Sequence, residues 1–93
     1  MIIGFLSLEL FFPYCRSLKD KRKIINRLKD RIKNKYNVAL AELDYQSKWQ
    51  RTKIGFVTIN SDKKPVDTLF NRVLAETEKI IDGEIIEFKF YYF

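Results

Sequence analysis

Arg16, Lys19, Lys21 and Arg22 lie within one short stretch, and Tyr45, Gln46, Trp49, Gln50 and Arg51 lie within a second. Those residue types suit one kind of chemistry. Lys and Arg neutralise phosphates and release their counterions. Trp and Tyr offer flat surfaces on which bases stack, and Gln offers donors and acceptors for base edges. Arg binds phosphate as a fork or stacks on a base. The residues of other chemistries are missing. The chain has no His and a single Cys, Cys15. A zinc or haem site is therefore not expected, and neither is any other metal or cofactor. Cys15 has no His to activate it, so it reads as an inert loop or core residue, and no catalytic residue is assigned.

The charge is concentrated. Residues 16–35 hold ten of the eighteen Lys and Arg and only two acids, Asp20 and Asp30, for a net charge of +8. The rest of the chain is net −2. A localised field of this kind marks either a polyanionic partner or a solvated helix face.

At 93 residues, 46% of them hydrophobic and 15% aromatic, the chain is expected to fold as one domain with one modest core. No apolar run is long enough to span a membrane, so no membrane partner is expected. The opening Met1-Ile2-Ile3 lacks the basic n-region of a signal peptide. The lone Cys excludes a disulfide framework, and a cytoplasmic location is expected.

Six elements must position these residues. The alternation of Ile2 to Phe12 predicts a strand with Gly4, Leu6, Leu8, Leu10 and Phe12 facing the core. Pro13 stops it. Ser17 is an N-cap, with Asp20 at the capping-box position, so a helix is predicted over Leu18 to Lys35. Leu18, Ile25, Leu28, Ile32 and Tyr36 form its apolar stripe. Lys21 falls inside that stripe, although most of the cations fall outside it. Val38 to Tyr45 and Arg51 to Asn60 alternate as two strands joined by a hairpin loop over Gln46 to Gln50. Ser61 or Asp62 caps a second helix, with Pro65 in its first turn and Gly83 at its end. Glu84 to Phe93 is the last strand, with Ile86, Phe88, Phe90 and Tyr92 on one side against Glu87, Lys89 and Tyr91 on the other.

The order β-α-β-β-α-β predicts an α+β ferredoxin-like sandwich. Its four-stranded antiparallel sheet has the order 4-1-3-2, with both helices on one face. In that topology the end of strand 1, the start of helix 1 and the hairpin share one edge of the sheet. Arg16, Lys19, Lys21 and Arg22 are thus expected beside Tyr45, Gln46, Trp49, Gln50 and Arg51, in a basic corner around the only Trp.

The same residues carry a resemblance to a family. Arg16-Ser17-Leu18-Lys19-Asp20-Lys21-Arg22 and Ala41-Glu42-Leu43-Asp44-Tyr45-Gln46-Ser47-Lys48-Trp49-Gln50-Arg51 are similar to two long motifs of the YlxP-like proteins. The opening Ile2-Ile3-Gly4 and the turn Asn60-Ser61-Asp62 also resemble that family. The family commonly has Gly where Asp44 stands and an acidic-apolar pair where Ser47-Lys48 stands. The resemblance covers essentially the whole chain. It implies a ferredoxin-like fold and no known reaction. The family's genes often lie among translation and ribosome-maturation genes, which implies an RNA-related role by association.

Two further comparisons are thin. Lys53 to Ile59 is faintly similar to an RNA-recognition consensus, but Ile54 replaces its aromatic and Thr52 its base. Acylphosphatases share the topology and bind phosphate with an Arg, for which Arg16 and Asn60 are the only candidates, but Phe12-Pro13-Tyr14-Cys15 stands where their Gly-rich loop would be. Plain structural uses also exist. Ser17 can be only a cap, Lys21 can snorkel past Tyr45, and Trp49 can cover the end of the core. Asp82 and Glu84 are placed to pair with Gln50 and Arg51 and so to blunt the positive field.

The functional expectation is a non-enzymatic factor that contacts structured RNA or the ribosome through the basic corner, with no DNA specificity inferred. The alternative is a homo-oligomeric protein-interaction module without a nucleic-acid ligand. An outer sheet face showing Ile3, Phe5, Phe11, Phe56, Tyr91 and Phe93 is a large apolar area to leave wet. Phe88 to Phe93 forms an edge with only Lys89 as a gatekeeper. A homo-oligomer burying that face or edge is expected.

Overall fold

Strand β1 (Ile2–Phe11) runs through the middle of the sheet, paired on one side with β3 (Arg51–Asn60) and on the other with β4 (Glu84–Tyr92). The computed structural model describes all 93 residues. Helix α1 (Leu18–Lys35), strand β2 (Ala39–Asp44) and helix α2 (Lys63–Ile80) complete the order β-α-β-β-α-β. The sheet is wholly antiparallel, in the order β2-β3-β1-β4. This is the predicted ferredoxin-like α+β architecture. No helix is long and apolar enough to cross a membrane.

The alternation of β1 decides which face carries the helices. Leu6, Leu8, Leu10 and Phe12 are fully buried, in one cluster with Ile25, Leu28 and Ile32 of α1 and Val66, Phe70 and Val73 of α2. Gly4 continues that face, because a Cβ there would collide with Val66 and Phe70 of α2. Helix α1 begins where its cap predicts. The Ser17 hydroxyl accepts from the Asp20 N–H at 3.1 Å, and the Asp20 carboxylate accepts from the Arg16 N–H at 3.2 Å. Each bond satisfies a backbone donor at or just before the first turn.

Three expectations are corrected. Phe56 does not lie on the outer face. It pairs with Leu6, directly opposed residues share a face, and Phe56 is fully buried. Slipping β3 by one residue would expose Ile54 and Phe56, at about 1.5–3 kcal/mol for each side chain, so the parity is strongly set. The outer residues of β3 are instead Lys53, Gly55, Val57 and Ile59. In β4 the register shifts between Glu9 and Leu10 of β1, so Ile85 packs on the core and Ile86 is exposed. Gly83 is not a left-handed helix cap, since no glycine has positive φ. It is needed for close approach, because a Cβ there would collide with the Phe11 carbonyl.

The outer face is also less uniformly apolar than expected. Phe5 stacks on Tyr91 with ring centroids 5.6 Å apart, near Val57, Ile59 and Phe93. A belt of Glu9, Arg51, Lys53, Glu87 and Lys89 separates this group from Phe11 at the far end.

A candidate nucleic-acid interface at the hairpin end

Lys21 anchors this end of the molecule. It lies in the first turn of α1, inside the apolar stripe, and is 1% exposed. Its Nζ donates to the carbonyls of Tyr45 (2.8 Å), Gln46 (3.3 Å) and Arg51 (3.2 Å) and lies 3.0 Å from Glu42 Oε2. Glu42 also accepts a 2.5 Å bond from the hydroxyl of buried Thr52. On β2, Leu40 and Glu42 face the helices, because they pair with Phe56 and Ile54 of β3. The charged residue that interrupts the α1 stripe and the charged residue on the inner side of β2 are therefore partners. A buried ammonium requires this degree of compensation.

The hairpin is tied down twice more. The Gln50 side-chain amide donates to the carbonyls of Pro13 (3.1 Å) and Cys15 (3.3 Å), and the Phe12 N–H donates to the Gln50 carbonyl at 2.7 Å. Tyr45 adopts a left-handed conformation with φ 63°, uncommon for a residue with a side chain. Its carbonyl accepts from both Lys21 and the Lys48 N–H, which holds that turn in place.

On the outer side of the hairpin is an open cleft of about 610 Å³, lined by Phe11, Tyr45, Ser47, Lys48, Trp49, Gln50, Arg51 and Ile86. Trp49 is 54% exposed. The Arg51 guanidinium lies 4.9 Å from the centre of the Tyr45 ring and donates to Glu9 at 2.6 Å. The hydrogen bond and charge of Glu9 hold Arg51 still more firmly protonated than usual. Burial, with Asp20 adding and Lys21 opposing, pushes the Cys15 thiol up, away from nucleophilic character at neutral pH.

The expected site residues thus meet at one end of the fold but do different work. Arg16, Lys19 and Arg22 are exposed and in no ion pair. Lys21 is corrected from a contact residue to an internal tie, because its ammonium is enclosed by protein oxygens. Gln50 spends its amide on the strand 1–helix 1 loop, while Gln46 and Trp49 are exposed. Arg51 keeps about half its side chain in solvent while bound to Glu9. Asp82 and Glu84 form no ion pair; the acids that pair with cations at this end are Glu9 and Glu42. No α1 residue lines the Trp49 cleft, so the helix cations and the aromatic surface flank the hairpin on opposite sides. Farther along α1, Arg31 and Lys35 pair with Glu76, and Arg27 donates to the Ile80 carbonyl.

Phe11 of the cleft is expected from sequence on the apolar outer face and not in this site, whereas Lys48 belongs to the hairpin expected at the basic corner. The fold of the hairpin onto the end of β1 brings the two together. Glu42 is not legible as part of the site either: alternation groups it with Asp44 opposite Ala39, Ala41 and Leu43, and only its pairing with Ile54 turns it toward the helices.

Fold and site together define a ferredoxin-like sandwich with a cationic and aromatic hairpin end. Residues 3–90 match the family described as "Protein of unknown function (DUF503)", and the chain belongs to that family. It is 38% identical over 74 residues to the "Uncharacterized protein YlxP" of Bacillus subtilis (strain 168), with 80% of each chain covered. Among solved structures, it resembles "Structural Genomics, protein YJCS" with a TM-score of 0.62 and 9% identity over 96% of both chains. It also resembles the "De novo designed protein Foldit4", with a TM-score of 0.56 and 16% identity over 97% of this chain and 94% of that one. At those identities the likeness concerns the fold alone.

Proposed function

We propose that this protein is a non-enzymatic RNA- or ribosome-associated factor that contacts RNA with its hairpin end. The observation that carries the reading is Trp49, half in solvent beside Phe11 and Tyr45 on a loop immobilised from behind by Lys21. A rigid exposed aromatic binds a base with little ordering cost. Arg16, Lys19 and Arg22, whose side chains are in no ion pair, supply phosphate contacts on the flank of the same loop. The sequence resemblance, with its genes among those of translation, agrees with this partner class.

Titration of a fluorescent structured RNA, followed by anisotropy over a range of salt, tests the proposal. Arg22→Ala should weaken binding and lower the salt slope by about 1, the signature of one lost phosphate contact. Trp49→Ala should weaken binding by an order of magnitude with an unchanged slope, since stacking is worth ~1–3 kcal/mol per base. Unchanged affinity in Arg22→Ala, Trp49→Ala and Arg51→Ala at moderate salt refutes the site. Capture from lysate with and without RNase separates the readings. Ribosomal RNA in the untreated sample supports this one, and a single protein recovered regardless of RNase supports the interaction module.

A further inference from the structure

The edge of β4 from Glu87 onward is a second surface, which meets the hairpin cleft at Ile86. β4 has one neighbour, β1, and its other side is unpaired over nine residues without a proline. The opposite edge, β2, is six residues long; each edge strand carries one register shift, which in β4 falls at Ile86. Short edges resist pairing with another chain, whereas β4 runs regularly beyond its bulge, from Glu87 to Tyr92. β4 also leaves apolar surface uncovered on its helix side. Phe88 faces that way, opposite fully buried Leu8, yet is 53% exposed. Between it and α2 runs an open groove of about 610 Å³ whose apolar lining includes Leu74, Ala75, Ile85 and Phe88.

The charges on this edge choose the occupant. Glu87 and Lys89 flank Phe88 on the outer face, paired to each other at 3.1 Å and both more than half exposed. If two copies of β4 run antiparallel about an axis at Phe88, Glu87 of each opposes Lys89 of the other. The two Phe88 side chains then meet over the α2 grooves. An axis at Glu87 or at Lys89 would instead oppose like charges. Opposite charges directly across a strand pair stabilise it and like charges destabilise it. The pattern is therefore complementary to itself under a two-fold axis, as an isologous interface requires.

We propose that β4 is the seam of a homodimer, in which two four-stranded sheets join antiparallel about Phe88 into one eight-stranded sheet. The dimer buries the edge and both grooves. It leaves the two hairpin ends pointing away from each other, so the pairing does not depend on the RNA reading.

Sedimentation velocity and light scattering at tens of micromolar, with circular dichroism to confirm folding, test the seam. The wild type should run at twice the chain mass of 11.2 kDa. Glu87→Lys or Lys89→Glu alone places like charges across the seam twice and should weaken the dimer tenfold or more, equivalent to at least ~1.4 kcal/mol. The double exchange of both residues restores opposite charges and should restore the dimer. A monomeric wild type overturns the proposal. So does a dimer indifferent to the single exchanges, or one that the double exchange fails to rescue.

Discussion

Lys21 and Glu42, 21 residues apart in sequence, meet as a 3.0 Å ion pair beneath the hairpin, with the ammonium almost wholly removed from solvent. The pair joins the first turn of α1 to β2, while the carbonyls of Tyr45, Gln46 and Arg51 complete the ammonium's shell. It places a structural tie directly behind the exposed Trp49 surface.

Removing one partner strands the other. Lys21→Ala leaves the Glu42 carboxylate and three carbonyls without their donor and should destabilise the fold by about 3–5 kcal/mol, the range for breaking a buried pair. Urea denaturation measures the loss. Hydrogen exchange should show residues 45–51 deprotected before the rest of the sheet.

The Gln50 amide makes two local bonds at the surface, so its removal should be milder. Gln50→Ala should cost about 1–2 kcal/mol, from two net hydrogen bonds of ~0.5–1.5 kcal/mol each less their exposure. A loss below the error of a urea melt would mean that the Pro13 and Cys15 carbonyls are equally content with water.

Tyr92 gives the structure an alkaline limit. Its hydroxyl donates to Asp67, and Lys63 lies 4.6 Å from the centre of its ring. Partial burial, then the hydrogen bond and charge of Asp67, push its pKa up to about 12 from the usual 10. The fold favours the neutral phenol. Its contribution is therefore complete below pH 10 and is lost as pH rises through about 12. Tyr92→Phe should be less stable than wild type at neutral pH, and the gap should close between those two values. Denaturation midpoints measured across that range check the sign.

Trp49 is held by its loop more than the loop is held by Trp49. Trp49→Ala should change stability by no more than about 0.5 kcal/mol, as for a surface side chain outside any tie. A cooperative loss of several kcal/mol in thermal melts would show instead that the indole roofs the core.

Gly4 tests the packing of β1 against α2. In Gly4→Ala the added methyl collides with Val66 and with the Phe70 ring. Overpacking of this kind costs about 1–3 kcal/mol. A lowered melting temperature with an unchanged far-ultraviolet spectrum is the expected result.

Much of this could be read along the chain. Periodicity, Ser17 and Pro13 defined α1 to the residue, because caps and apolar stripes are local properties. The order of elements then dictated the sheet, since two crossovers and a hairpin admit few topologies. Residue counting also placed ten cations on one short segment. What it left open was sign and partnership. A period of two says that Phe56 and Val57 point opposite ways, but only pairing with β1 sends Phe56 inward. One bulged residue in β4 exchanges Ile85 for Ile86. Lys21 stands out in the apolar stripe but has no named partner until β2 brings Glu42 beneath it, and Arg51 pairs with Glu9 of β1 instead of Asp82 or Glu84. Such outcomes depend on contacts between segments distant in sequence, so they belong to the folded chain and not to any local window of it.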